Sequence, residues 1–142
     1  MRNLTTIVLL SVFAANVNAA CNQSDFVGRW EFLAGSISCK FYLDEEGSLY
    51  NGNCWSYKAA SGAMGEPQME GEDLGIVVGE FSVNGYCKVD AFLHPGTNFY
   101  AFQSNVGRLD MDKSIVSGLG AAYAKVNSSE VRVIVPYTMV KY

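Results

Sequence analysis

From residue 26 to the end of the chain, apolar and polar positions alternate in short runs, and no stretch sustains the period of a helix. The clearest run is 36–43, where Ile37, Cys39, Phe41 and Leu43 fall on one face and Lys40 and Tyr42 on the other. Residues 26–34 read the same way, with Gly28, Trp30, Phe32 and Ala34 opposed to Arg29 and Glu31. Turn formers punctuate the runs: Asp44-Glu45-Glu46-Gly47, Asn84-Gly85, His94-Pro95-Gly96-Thr97, Asp110-Met111-Asp112-Lys113 and Asn127-Ser128-Ser129-Glu130. The pattern predicts eight strands, at 26–34, 36–43, 48–57, 74–83, 86–94, 98–109, 114–126 and 131–142. Residues 59–73 are rich in Gly and acid and lack a period, which predicts an exposed loop.

Short connections make consecutive strands antiparallel neighbours. Eight such strands lose their exposed edges by closing, so the expected fold is all-β, an eight-stranded antiparallel up-and-down barrel, with a two-sheet β-sandwich as the alternative. Pro136 within the last strand requires a bulge or an unpaired position.

The N-terminus has a different character. Arg2 precedes the apolar run from Ile7 to Ala15, followed by the small residues Asn18-Ala19-Ala20. The run is too short for a membrane span and reads as a secretory signal over 1–19, leaving one domain at 20–142. Ten Lys and Arg stand against fourteen Asp and Glu in the whole chain, and loss of Arg2 leaves nine against fourteen. An acidic domain without basic clusters repels phosphate backbones, so no nucleic-acid partner is expected.

All four cysteines, Cys21, Cys39, Cys54 and Cys87, follow the leader, and an even count in an exported chain implies two disulfides with three connectivities open. Cys39 and Cys54 are equidistant from Glu46-Gly47, so a hairpin turning there sets them opposite each other and leaves Cys21 for Cys87. Zinc is the rival use, but there is no CxxC pair, and His94 is the only histidine. Cys21 also has the position of a lipidated first residue; that would place the chain on a membrane and leave an odd thiol.

The segment Phe26-Val27-Gly28-Arg29-Trp30-Glu31-Phe32 carries a Gly-x-Trp at the opening of the first strand of a meander. This resembles the calycin barrels, the lipocalins and avidins. The resemblance implies a barrel in which Gly28 allows a close approach and Trp30 plugs one end against a basic residue of a late strand, with Arg132 in that role. Trp30 and Trp55 are the only tryptophans, so the later-strand tryptophans that sandwich biotin in avidins have no counterpart.

Catalytic patterns are sparse. His94 lies in a turn, no GxSxG accompanies it, and the run from Asp110 departs from a calcium loop at Ile115 and Ala121. The acidic residues Glu66, Glu70, Glu72 and Asp73 read as a hydrated surface. Glu80 is the informative carboxylate. A two-residue Asn84-Gly85 turn sets Glu80 opposite Val89 and Ser82 opposite Cys87. If the face of Val89 points inward, Glu80 and Ser82 are polar groups in the barrel; if Val77, Gly79, Phe81 and Val83 point inward, they are surface.

Gly118, Gly120, Ala122 and Ala124 form a face of small residues, leaving room for a ligand or for a neighbour such as Phe102. The expected function is a non-enzymatic secreted or periplasmic binding barrel for a small apolar or amphipathic ligand, without a cofactor. Trp30, Glu80, Ser82, Phe102 and Tyr123 are its candidate ligand-binding residues. The competing reading is a secreted protein–protein module, such as a hydrolase inhibitor, presenting the long loop or segment 21–26. An outer-membrane barrel would instead need apolar girdles on its outside.

Overall fold

The computed structural model describes residues 20–59, 69–95, 100–126 and 129–142; the N-terminal run expected to be a signal, the centre of the long loop and residues 127–128 lie outside them. Eight strands run β1 Gly28–Ala34, β2 Ile37–Leu43, β3 Leu49–Ala59, β4 Met69–Val83, β5 Lys88–Pro95, β6 Tyr100–Leu109, β7 Ile115–Val126 and β8 Ser129–Lys141. Each is antiparallel to the next, and β8 returns to β1 to close the barrel. A 3-10 turn, Gln23–Phe26, precedes β1. Pro136 sits one residue beyond the β1 pairing, which ends at Ala34 opposite Tyr137.

One of the two disulfides follows from this register. Cys39 lies directly opposite Cys54 across β2 and β3, and the two are bonded. Cys21 is bonded to Cys87, which commits the Cys21 sulfur and leaves none for a thioether to lipid. Such bonds belong to an oxidising, extracellular type of environment.

The turns at one end of the barrel, here the lower end, share a single device. Asp44 Oδ1 accepts from the amides of Glu46 (3.0 Å) and Ser48 (2.8 Å). Asn84 Oδ1 accepts from Tyr86 (3.0 Å) and Lys88 (3.1 Å), and Asp110 Oδ1 from Ser114 (2.8 Å) and Ile115 (2.9 Å). In each turn one residue takes left-handed backbone: Gly47 (φ 84°), Cys87 (φ 62°) and Lys113 (φ 59°). Asp110 is held below the usual carboxylate range; desolvation works against this, but the Ile115 and Ser114 amides and the Ser114 hydroxyl outweigh it.

Two sequence expectations are corrected here. The β4–β5 turn takes in Gly85, Tyr86 and Cys87, not the two residues Asn84-Gly85, because Asn84 holds the Lys88 amide and the Asn84 amide bonds to the Lys88 carbonyl. Glu80 therefore pairs with Phe92 and Ser82 with Asp90. Strand β4 also begins five residues earlier than expected, so Met69 to Asp73 pair in register with Ala59 to Trp55 instead of looping.

The interior is apolar, while Arg29, Lys40, Glu80, Asp90 and Arg108 stand exposed outside, among exposed apolar residues such as Ile76, Val78, Leu119 and Ile134. At the lower end Trp30 is fully buried, edge-on to Phe26 (5.5 Å), with Phe26 leading on to Phe81 and Phe81 to Phe41. Trp30 Nε1 donates to the Phe26 carbonyl (2.7 Å). The basic residue over its ring is Lys141, with Nζ 5.6 Å from the centroid, and not Arg132, which lies over Tyr123 on the outside. Strand parity decides this: Tyr137 and Met139 are buried, so Lys141 is in phase with them and Arg132 is not.

At Gly118 and Gly120 the face of small residues on β7 is filled from within. A Cβ at Gly120 would run into the ring of Phe102, and one at Gly118 would lie 2.9 Å from the ring of Tyr137. The Tyr137 hydroxyl is buried without a hydrogen-bond partner among the described residues. Burial raises its pKa, only partly offset by the nearby Ser104 hydroxyl, whose proton goes to the Leu119 carbonyl (2.6 Å). A raised folded-state pKa means stability held below about pH 10 is lost as pH rises through the folded value. Tyr137→Phe is expected to be neutral or to stabilise by about 1 kcal/mol at pH 7, and to lessen alkaline destabilisation, checked by urea unfolding at pH 7 and pH 11.

Candidate functional site

The upper end of the barrel is built differently. Here the chain turns at Gly35 and Ser36, and β3–β4, β5–β6 and β7–β8 are joined through residues outside the described set. Inward positions at this end are modest in size: Ala34, Ile37, Ala122 and Val135 are only partly buried and pack against the core. Beneath them the rings of Phe32, Phe102 and Tyr137 meet at 4.9, 5.6 and 5.1 Å and form a closed floor. Such ring pairs contribute about 0.5–1.5 kcal/mol each beyond their buried area, so the floor is firm.

Between floor and rim lies a cavity of about 250 Å³. It is lined by apolar side chains from β1, β2, β5, β6, β7 and β8, with Cys39 of the second disulfide at its base. Val133 at the rim is half exposed. An engineered apolar cavity of about 150 Å³ takes benzene, so this one suits an apolar molecule of about ten non-hydrogen atoms.

Of the five candidate ligand-binding residues, the structure brings only Phe102 to this cavity, which Ala122 of the small-residue face and Cys39 also line. Trp30 lies in the packing of the opposite end. Glu80 and Ser82 are exposed on the outer face, beside Lys88 and Asp90. Tyr123 is also outside, in a groove with Arg132 and Ile134. His94 is exposed and pairs through its backbone with Val78. The wall residues missed were Ala34, Ile37, Leu93 and Val135, whose signal was phase: each shares its strand face with a buried residue such as Phe32, Cys39 or Tyr137.

The fold and cavity together define an antiparallel up-and-down β-barrel, packed solid at one end and hollow at the other. Comparison with family profiles, characterised proteins and solved structures finds no match to this chain.

Proposed function

We propose that the protein is a secreted, non-enzymatic carrier of a small apolar ligand, a barrel of the calycin kind that holds its cargo at the upper end. The observation that carries this reading is the apolar cavity above the Phe32–Phe102–Tyr137 floor. A volume of that kind, walled by side chains from several strands, loses dispersion contacts while empty and regains them when an apolar molecule enters. The Gly28 and Trp30 pair and the Lys141 cation over the indole support the calycin likeness through the opposite end.

Calorimetric titration with straight-chain alcohols from hexanol to dodecanol tests this. Saturable binding with a negative heat-capacity change and an optimum near ten non-hydrogen atoms is the expected result. Ala122→Phe and Ala34→Phe each fill the space and are expected to weaken binding at least about tenfold while the barrel's circular dichroism is unchanged. If no alcohol binds, or if both variants bind as the parent does, the carrier reading fails and a protein-binding module takes its place.

A further inference from the structure

The lower end carries a feature the cavity does not use. Lys113 Nζ lies against Cys21 Sγ (2.6 Å) and stands 3.6 Å from Cys87 Sγ, so an ammonium is set on one disulfide and asymmetrically on its two sulfurs. The same nitrogen reaches the Ala20 carbonyl (3.5 Å) and Asp25 Oδ2 (3.8 Å), and about a fifth of the lysine side chain is exposed. Lys113 and Cys87 both occupy left-handed backbone, where glycine would be easier, as it is at the equivalent place in the β2–β3 turn, Gly47. Two strained residues converging on one bond point to what their side chains do there.

We propose that Cys21–Cys87 is a thiol–disulfide exchange site, opened by a dithiol reductant that attacks Cys87 Sγ and expels Cys21 as a thiolate. Two independent features select this direction. Cys87 is the partly exposed sulfur residue, whereas Cys21 is 3% exposed, so a nucleophile reaches Cys87 first. The ammonium sits on the other sulfur, where negative charge develops as the bond breaks, and lowering the leaving thiol's pKa speeds exchange. In the first step the reductant's thiolate bonds to Cys87 Sγ and the electron pair of the S–S bond goes to Cys21 Sγ. In the second, the reductant's other thiol, deprotonated, attacks its own mixed-disulfide sulfur and releases Cys87 as thiolate, so the protein gains two electrons and the reductant becomes a disulfide.

Exchange frees a tether rather than the fold. The 3-10 turn stays docked through Gln23, which donates to the Phe81 carbonyl (2.8 Å) and accepts from the Val83 amide (3.0 Å), and through Lys141 on the Asp25 carbonyl (2.9 Å). Cys39 and Cys54, at 2% and 0% exposure inside the barrel, supply the internal control, since neither is as exposed as Cys87 and no ammonium is set on their sulfurs among the described contacts.

The test is native-state reduction by dithiothreitol at pH 7.0, quenched by alkylation and resolved by peptide mass mapping. Cys21–Cys87 is expected to open at least about tenfold faster than Cys39–Cys54, and Lys113→Met to slow that opening by about fivefold. Lys113→Arg restores the parental rate; Lys113→Gly relaxes the backbone yet stays slow. With glutathione in place of dithiothreitol, the trapped adduct is expected on Cys87. Equal rates for the two disulfides, an unchanged rate in Lys113→Met, or an adduct on Cys21 overturns the proposal. Circular dichroism of each variant separates a lost charge from a lost fold.

Discussion

Replacing Trp30 with alanine is expected to cost about 3–5 kcal/mol, a large part of the stability of a domain this size. The residue is fully buried, and its removal leaves a void between Phe26 and the strands around it. Two further losses add to the void. The Phe26 carbonyl gives up its bond from Nε1 (2.7 Å), and Lys141 Nζ, 5.6 Å above the indole, faces a hole instead of a ring. Trp30→Phe separates these terms, keeping most of the packing but orphaning the Phe26 carbonyl, and is expected to cost about 1–3 kcal/mol. Urea unfolding at constant m value measures both. A cost below about 1 kcal/mol for the alanine variant would mean that this end of the barrel is not a packed plug.

The β2–β3 hairpin was legible because its signals are local. Alternation in 36–43 and the symmetric placing of Cys39 and Cys54 about Glu46-Gly47 are properties of one hairpin, and the structure keeps both. The face of Glu80 was not legible. Strand β4 is apolar on both sides, with Ile76 and Val78 outside and Val77 and Phe81 inside, so alternation alone could not choose. The choice then rested on the turn, and moving from a two-residue turn to one ending at Cys87 shifts the pairing by an odd number and reverses every side chain. The early start of β4 was hidden for another reason: residues 69–73 are placed by backbone pairing with β3, which leaves no hydrophobic period to read. The cavity escaped for a third. It is a property of side-chain volumes on six strands at once, and no single run of sequence carries it.

The two disulfides are expected to divide stability from function. Cys21 and Cys87 are 66 residues apart and Cys39 and Cys54 only 15, so loop-closure entropy assigns about 4 kcal/mol to the first and about 3 kcal/mol to the second. Replacing Cys21 and Cys87 together by serine is therefore expected to lower the urea midpoint more than replacing Cys39 and Cys54 by alanine. Ligand affinity is expected to respond in the opposite order. Cys87 lies in a lower-end turn, beyond the Phe32–Phe102–Tyr137 floor, so alcohol binding survives loss of the longer bridge as long as the barrel is folded. Cys39 lines the cavity, and trimming it with its buried partner Cys54 reshapes the base on which a ligand rests. Unfolding curves and alcohol titrations on the two double variants decide the matter together. If the Cys39–Cys54 variant is the less stable by more than about 1 kcal/mol, core packing outweighs loop entropy at that site. If instead the Cys21–Cys87 variant loses ligand while remaining folded, the two ends of the barrel are coupled through the aromatic floor, and the plug is part of the binding machinery.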